Sequence, residues 1–306
     1  MVIELDGQKI TLAEMERKHP GRLFSAYNTF YQTERKAVDE FVDELLLERQ
    51  AKKEHLTVEE LLEKHVNATI AKDPSDESLR VYYEGVDTSQ PFETVRPQIL
   101  DHIKQRRLAA AKTAYLKSLR SQADLDVLVT PPRSSVSLKD TPVRGRTDAP
   151  VMIIEYADYE CPYCQAIQPT LDKLMAEYKD KLSLAYKDVP LPGHAHAQKA
   201  AEAARCAGEQ GKYWEYHDLL LAKKALDVPQ LKEYAIDLKL DPKAFGECLE
   251  AGKEADKVKA QTAEGVSFQL QGTPSFFING RFISGVLTYD EFHTILDQEL
   301  GAATGK

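Results

Sequence analysis

Apolar and polar positions along the chain repeat with two periods, and each period predicts a different element. Val2 to Leu5 and Gln8 to Ile10 alternate around Asp6-Gly7, a pair suited to the tight turn of a β-hairpin. The period then lengthens. Ala37, Val38, Phe41, Val42, Leu45 and Leu46 recur at helical spacing with Glu and Lys opposite, which predicts an amphipathic helix of about five turns. Thr11 with Glu14 and Thr57 with Glu60 form capping boxes, in which a hydroxyl and a carboxylate satisfy free N–H groups at a helix start. Ser75, or Asp76, caps a further helix through Leu79, Val81 and Tyr82. The longest helix is expected from about Phe92 to Ala123, with Pro97 tolerated in its first turns. Val127 to Val129 reads as a closing strand that pairs with the opening one.

Beyond residue 130 the pattern changes. Residues 130–148, rich in proline, serine and basic residues, read as a connector, with Ser135 to Leu138 as a short first strand of the next domain. Val151 to Tyr156 is a near-continuous apolar run, as in a strand buried on both faces. A cysteine pair follows at Cys161-Pro162-Tyr163-Cys164, then a helical pattern through Leu171, Leu174 and Tyr178 in which Pro169 is expected to make a kink. Lys181 to Val189 predicts a second strand. Ser275 to Asn279 and Arg281 to Ser284 flank Asn279-Gly280 as a hairpin, and Phe292, Ile295 and Leu296 mark a last helix. The order is βαβ followed by ββα, with helices inserted at about 192–270.

A length of 306 residues predicts two domains, and 42% hydrophobic with 29% charged residues is a globular composition. A net charge of -9 disfavours nucleic acid and anionic membrane as partners, because phosphates are held by clustered Lys and Arg. No stretch approaches the roughly 20 apolar residues needed to cross a bilayer. The amino terminus lacks the basic segment and apolar run of a secretory signal, which leaves a cytoplasmic protein or a trimmed mature form. His19, His55, His65 and His102 are scattered without metal-ligand spacing. Tyr27, Phe30, Tyr31, Tyr82 and Tyr83 are either core or the lining of a groove for extended chains. All four cysteines, Cys161, Cys164, Cys206 and Cys248, lie in the second half, and that half carries the chemistry.

Two cysteines three apart in the first turn of a helix approach within disulfide distance, and the leading sulfur faces unpaired N–H groups and the positive end of the helix dipole. The Cys161 thiolate is thereby stabilised, which makes it a nucleophile near neutral pH and a good leaving group. Cys164, one turn deeper, is the shielded, resolving thiol. The same string also fits half of a zinc site or a structural disulfide. A zinc site needs a second ligand pair, and neither His194 with His196 nor Cys206 with Cys248 has a recognised spacing. His194 and His196 are read as solvated at a helix entrance, and Tyr213 and Trp214 as core of the insert.

"APVMIIEYADYECPYC", "AAEAARCAGEQGKYWEYHDLL" and "GTPSFFINGR" resemble, in order over about residues 135 to 300, the DsbA-like thiol-disulfide oxidoreductases of the thioredoxin superfamily. The resemblance implies a thioredoxin-like α/β domain over 133–306, with Cys161 as nucleophile and Cys164 as its resolving partner. It places Pro274 as a cis proline after Thr273, beside Pro162 and Tyr163, where the Thr273 backbone pairs with a substrate strand. It also makes Glu155 a buried acid that shuttles the proton of Cys164, the alternative being a strand-end carboxylate with no role. Relatives carry a similar extra cysteine pair, which implies a structural Cys206–Cys248 disulfide, or otherwise two buried thiols.

The first half, about residues 1 to 132, is similar to the amino-terminal chaperone region of the SurA and PrsA family of extracytoplasmic folding factors. "DGQKIT", "VDELLLERQAKKEHLTVEELLEK", "YYEG", "VRPQILDHIKQRR" and "LDVLVTPP" carry that likeness, which implies a mostly α-helical, client-holding domain without prolyl isomerase activity. Together the two resemblances imply an oxidoreductase acting on exported proteins, or alternatively a holdase whose thioredoxin-like half mainly grips cysteine-containing clients or joins subunits. The expected redox group is the Cys161/Cys164 disulfide itself, with no cofactor or metal. Expected partners are cysteine-containing exported proteins and a membrane or soluble recycling partner, with homodimerisation open. The expected location is periplasmic or otherwise extracytoplasmic.

Overall fold

The computed structural model describes residues 3–19, 21–70 and 73–304. The chain divides into two compact units, one of Met1–Tyr31 with Thr130–Lys306 and one of Gln32–Val129.

In the first unit β1 (Ile3–Leu5) pairs antiparallel with β2 (Gln8–Ile10) around Asp6-Gly7, both at positive φ as this two-residue turn requires. Val2, the expected first residue of β1, lies outside the described residues. Helix α1 (Leu12–Lys18) starts at the Thr11/Glu14 capping box, and α2 spans Gly21–Glu54. The second unit continues with α3 (Val58–His65), capped by Thr57 and Glu60, α4 (Asp76–Glu84), capped by Ser75, and α5 (Phe92–Ser121). Leu47, Ala51, Leu61 and Leu119 form one of its apolar clusters, and Leu79, Phe92, Val95 and Ile99 another. Of the aromatics with two readings, Tyr31 is buried, whereas Tyr27 and Phe30 are exposed.

The cysteine-bearing unit adds β3 (Val143–Arg144), β4 (Val151–Ala157), α6 (Pro162–Tyr178) and β5 (Leu182–Asp188). Five helices follow, α7 (Ala197–Gly208), α8 (Tyr213–Lys223), α9 (Val228–Asp237), α10 (Pro242–Glu250) and α11 (Ala255–Ser267). The chain then forms β6 (Ser275–Ile278), β7 (Arg281–Ser284) and α12 (Tyr289–Thr304). The sheet order is β3-β5-β4-β6-β7, with only β4 and β5 parallel, so the expected βαβ-ββα order with its helical insert is present.

Successive β4 side chains face opposite layers. Ile153 packs with Ile167, Leu171, Phe276 and Phe292 beneath α6 and α12, while Ile154 and Tyr156 pack with Phe277, Phe268 and Phe24 on the other face. Asn279-Gly280 turns the β6–β7 hairpin at positive φ, and the Asn279 side chain bonds Met152 N–H and Pro150 C=O beside it. Helix α6 runs unbroken through Pro169.

Three expectations about boundaries fail. The opening residues, assigned above to the helical domain 1–132, belong to the cysteine-bearing unit. Phe24 fills the sheet face against the rings of Phe268, Phe277 and Phe282, a long-range packing that no local pattern announces. Val127 to Val129 forms no strand, and β1 pairs with β2 instead. Ser135 to Leu138 is not a strand either. The edge strand is β3, antiparallel to β5, while Arg133 bridges Arg281 at the opposite edge. The connector thus supplies the edge strand on the β5 side of the sheet and one bridge along β7 on the other, each pairing backbone groups that would otherwise be left open.

Candidate active site at the start of α6

Cys161 is the residue that caps α6, with extended backbone (φ -72°, ψ 120°), and Pro162 takes the first helical position, where its missing N–H costs nothing. Its N–H donates to the Asp158 carbonyl at 3.1 Å. Cys161 is 3% exposed and Cys164 fully buried, both as free thiols, while Pro162 and Tyr163 are exposed, Tyr163 at 65%. Thr273-Pro274 is cis and lies against the leading sulfur, since the Cys161 thiol donates to the Thr273 carbonyl at 3.4 Å. Glu155, on β4, is completely buried. The structure therefore brings Cys161, Cys164 and Thr273 together at the head of α6, with Pro162 and Tyr163 at the surface and Glu155 behind them.

The electrostatics separate the two sulfurs. The Cys161 thiol is lowered to about 5, chiefly because the Cys164 thiol donates to its thiolate. The Thr273 side chain and the N–H groups of Cys164 and Tyr163 add to this against the cost of burial. The Thr273 hydroxyl is itself buried and makes no other hydrogen bond, so it is free to turn towards the Cys161 thiolate. Cys164 is pushed far above the ordinary thiol range by its burial, by the adjacent Cys161 sulfur and by the Glu155 charge. Glu155 is raised to about 8 by burial, opposed only by the Gln168 amide, with the Cys161 charge adding to the rise.

Other side chains here were not picked out by the sequence pattern. Gln168, one turn after Cys164, donates to both Glu155 oxygens (3.4 and 3.5 Å) and to the Cys164 carbonyl (3.4 Å). The signal for it was its i, i+4 spacing from Cys164. Asp158 is buried and accepts the Glu160 N–H (2.7 Å) and the Leu191 N–H (2.8 Å). Its bond to the N–H two residues on is the Asx-turn habit of aspartate and was legible in principle. His194, read above as solvated, pairs with Asp158 through Nδ1 at 2.7 Å. That contact joins two loops far apart in sequence, and nothing local announces it.

Cys206 and Cys248 form a disulfide between α7 and α10, with Cα atoms 5.9 Å apart, so they are not available as a second ligand pair for Cys161 and Cys164. Among the described residues no group of three or more His, Cys, Asp or Glu side chains is placed to hold a metal ion.

Comparison with known proteins places this geometry in a family. Residues 137–298 match the sequence family described as Thioredoxin. BdbD from Bacillus subtilis superposes with a TM-score of 0.51 at 24% identity, covering 56% of this chain and 98% of that one. Wolbachia pipientis alpha-DsbA1 superposes with a TM-score of 0.50 at 22% identity, covering 55% and 95%. Among curated sequences, Na(+)/H(+) antiporter NhaA 3 of Salinispora tropica is 42% identical over 183 residues, 57% of this chain and 26% of the antiporter. Na(+)/H(+) antiporter NhaA of Herminiimonas arsenicoxydans is 33% identical over 169 residues, 55% and 26%. The chain spans about a quarter of the length of these curated relatives. With the matched family covering more than half of its residues, and with βαβ-ββα order around the cysteine pair, the chain belongs to the thioredoxin family.

Proposed function

We propose that the chain is a thiol-disulfide oxidoreductase that exchanges a Cys161–Cys164 disulfide with cysteines of exported, folding proteins. The observation that supports this reading is the opposition of the two sulfurs, one lowered to about 5 and the other held protonated. In the oxidising direction a client thiolate attacks Sγ of Cys161, the bond to Cys164 breaks, and Cys164 receives the electron pair and the proton of Glu155. A second client thiolate then attacks the client sulfur of the mixed disulfide and releases Cys161 as thiolate. The client loses two electrons and the protein gains them, so a recycling partner, membrane-bound or soluble, must take them away. A stabilised Cys161 thiolate favours the reduced protein and hence this direction.

Exposed Tyr163 and Pro162 form the rim on which the client lies, and the Thr273 backbone ahead of Pro274 pairs with its extended chain. We assign client holding to the SurA/PrsA-like helical region, which exposes Phe41, Leu45 and Val81. An extracytoplasmic address is favoured by the Cys206–Cys248 disulfide, since such bridges persist in oxidising compartments. No ion transport is proposed from the partial likeness to antiporters.

The Cys161→Ser variant tests the reading. Turnover in disulfide formation and insulin reduction is expected to vanish while suppression of client aggregation survives. Retained turnover removes Cys161 from the nucleophile role, whereas a wild type that suppresses aggregation without any turnover leaves the holdase reading.

A further inference from the structure

Two loops meet beside the reactive cysteine, residues 158–161 before α6 and residues 189–196 after β5. They are joined through one carboxylate. Asp158 accepts the Leu191 N–H and the His194 imidazole on the same oxygen, Oδ2, and the Glu160 N–H on Oδ1. A further link runs from the His196 N–H to Glu160 Oε2 at 2.8 Å. The Asp158 side chain is fully buried and that of His194 is 28% exposed. The His194 imidazole is held above the ordinary histidine range, chiefly by its hydrogen bond to Asp158 and against the cost of burial. Asp158 also holds Cys161 from behind, through the Cys161 N–H to its carbonyl.

We propose that His194, seated on Asp158, is a positioning residue whose imidazolium adds positive charge beside Cys161 and makes the reactivity of that sulfur depend on histidine protonation. The inference rests on the oxidoreductase reading and adds a regulator to the same site. Asp158 bonds the imidazole and raises its affinity for a proton most, and the charges of Glu160 and Cys161 raise it further, against the cost of burial. By linkage, what raises His194 when Cys161 is a thiolate must lower Cys161 when His194 is charged, and by the same free energy. The donors described above, from Cys164, Thr273 and the start of α6, are neutral and do not change with pH near neutrality. Two charges do change: Glu155, raised to about 8, gains its negative charge and His194 loses its positive charge as pH rises, each through its own titration.

The test is the pH dependence of Cys161 alkylation by iodoacetamide in the full chain, between pH 4 and 9. The wild type is expected to show an inflection for Cys161 and an upper one for His194, distinguished by its survival in Glu155→Gln from any inflection of Glu155, which itself titrates at about 8. His194→Gln keeps a donor for Asp158 without the charge. It is expected to lose the upper inflection and to react about threefold more slowly at the acid end, the effect of half a pH unit in the thiol titration. His194→Lys restores a charge that does not titrate in this range, and is expected to recover the acid-end rate without the upper inflection. Identical profiles for wild type and His194→Gln overturn the inference while leaving the oxidoreductase reading intact. A Cys161 in the wild type that titrates like a cysteine in a flexible peptide overturns both. Slowing in His194→Gln without recovery in His194→Lys overturns the charge argument and makes His194 a packing residue.

Discussion

At the scale of single residues, Glu155 is where folding and chemistry pull apart. Its carboxyl is raised to about 8 by burial, against an ordinary value of 4.5. Between those values the unfolded chain has released a proton that the folded chain keeps. The group therefore lowers stability as pH rises, by roughly 1.4 kcal/mol per unit across that window. Cys161 has the opposite sign, since its lowered thiol contributes stability that is complete above the unfolded value near 9 and lost as pH falls towards about 5. In the disulfide form only the Glu155 contribution remains. Glu155→Gln is thus expected to raise the melting temperature of the oxidised protein relative to wild type at pH 8 but not at pH 4, by calorimetry. The same variant is expected to slow exchange roughly a hundredfold, since Cys164 loses its proton carrier. A faster or unchanged rate removes Glu155 from the proton step.

At the scale of elements, what is local was legible and what depends on neighbours was not. Capping boxes at Thr11 and Thr57 and turns at Asp6-Gly7 and Asn279-Gly280 are decided within a few residues, and each stands where the pattern put it. Thr57→Ala is expected to cost about 1 kcal/mol in a denaturant titration, because a free N–H of α3 loses its acceptor. The edge strand beside β5 escaped the same reasoning, although the opposite edge, β7, was read from its hairpin turn. Val143–Arg144 is too short to show alternation, and whether Ser135 to Leu138 pairs depends on which edge the chain passes. The start of α2 is a further case of tertiary control. A Cβ on Gly21 would meet the carbonyl of Ser267 at the end of α11, so no side chain fits there. Gly21→Ala is expected to destabilise the cysteine-bearing unit by about 1–3 kcal/mol, seen as a lower melting temperature, because α2 must lift from α11. An unchanged melting temperature means that the contact yields freely.

At the scale of the whole molecule, the covalent link between α7 and α10 lies in the same buried cluster as the reactive sulfurs. Cys206 and Cys248 are 42 residues apart, and closing a loop of that length is worth about 4 kcal/mol in the chain-entropy estimate. A Cys206→Ala/Cys248→Ala double variant is expected to unfold at a lower denaturant concentration by that order, with the Cys161 alkylation rate in the folded protein retained. Loss of Cys161 reactivity in that variant, while it remains folded, means that the bridge also shapes the site. The sequence alone determined the capped helix starts at Thr11, Thr57 and Ser75, the tight turns, the apolar run of β4 and the cysteine pair after it, since each is encoded by neighbours in the chain. Tertiary structure alone decided that Phe24 belongs to the sheet, that Arg133 and Val143 close opposite edges, and that Asp158 and His194 meet beside Cys161. Those outcomes depend on surfaces and charges brought together from distant segments. Local periodicity carries no information about which distant segment will supply the partner.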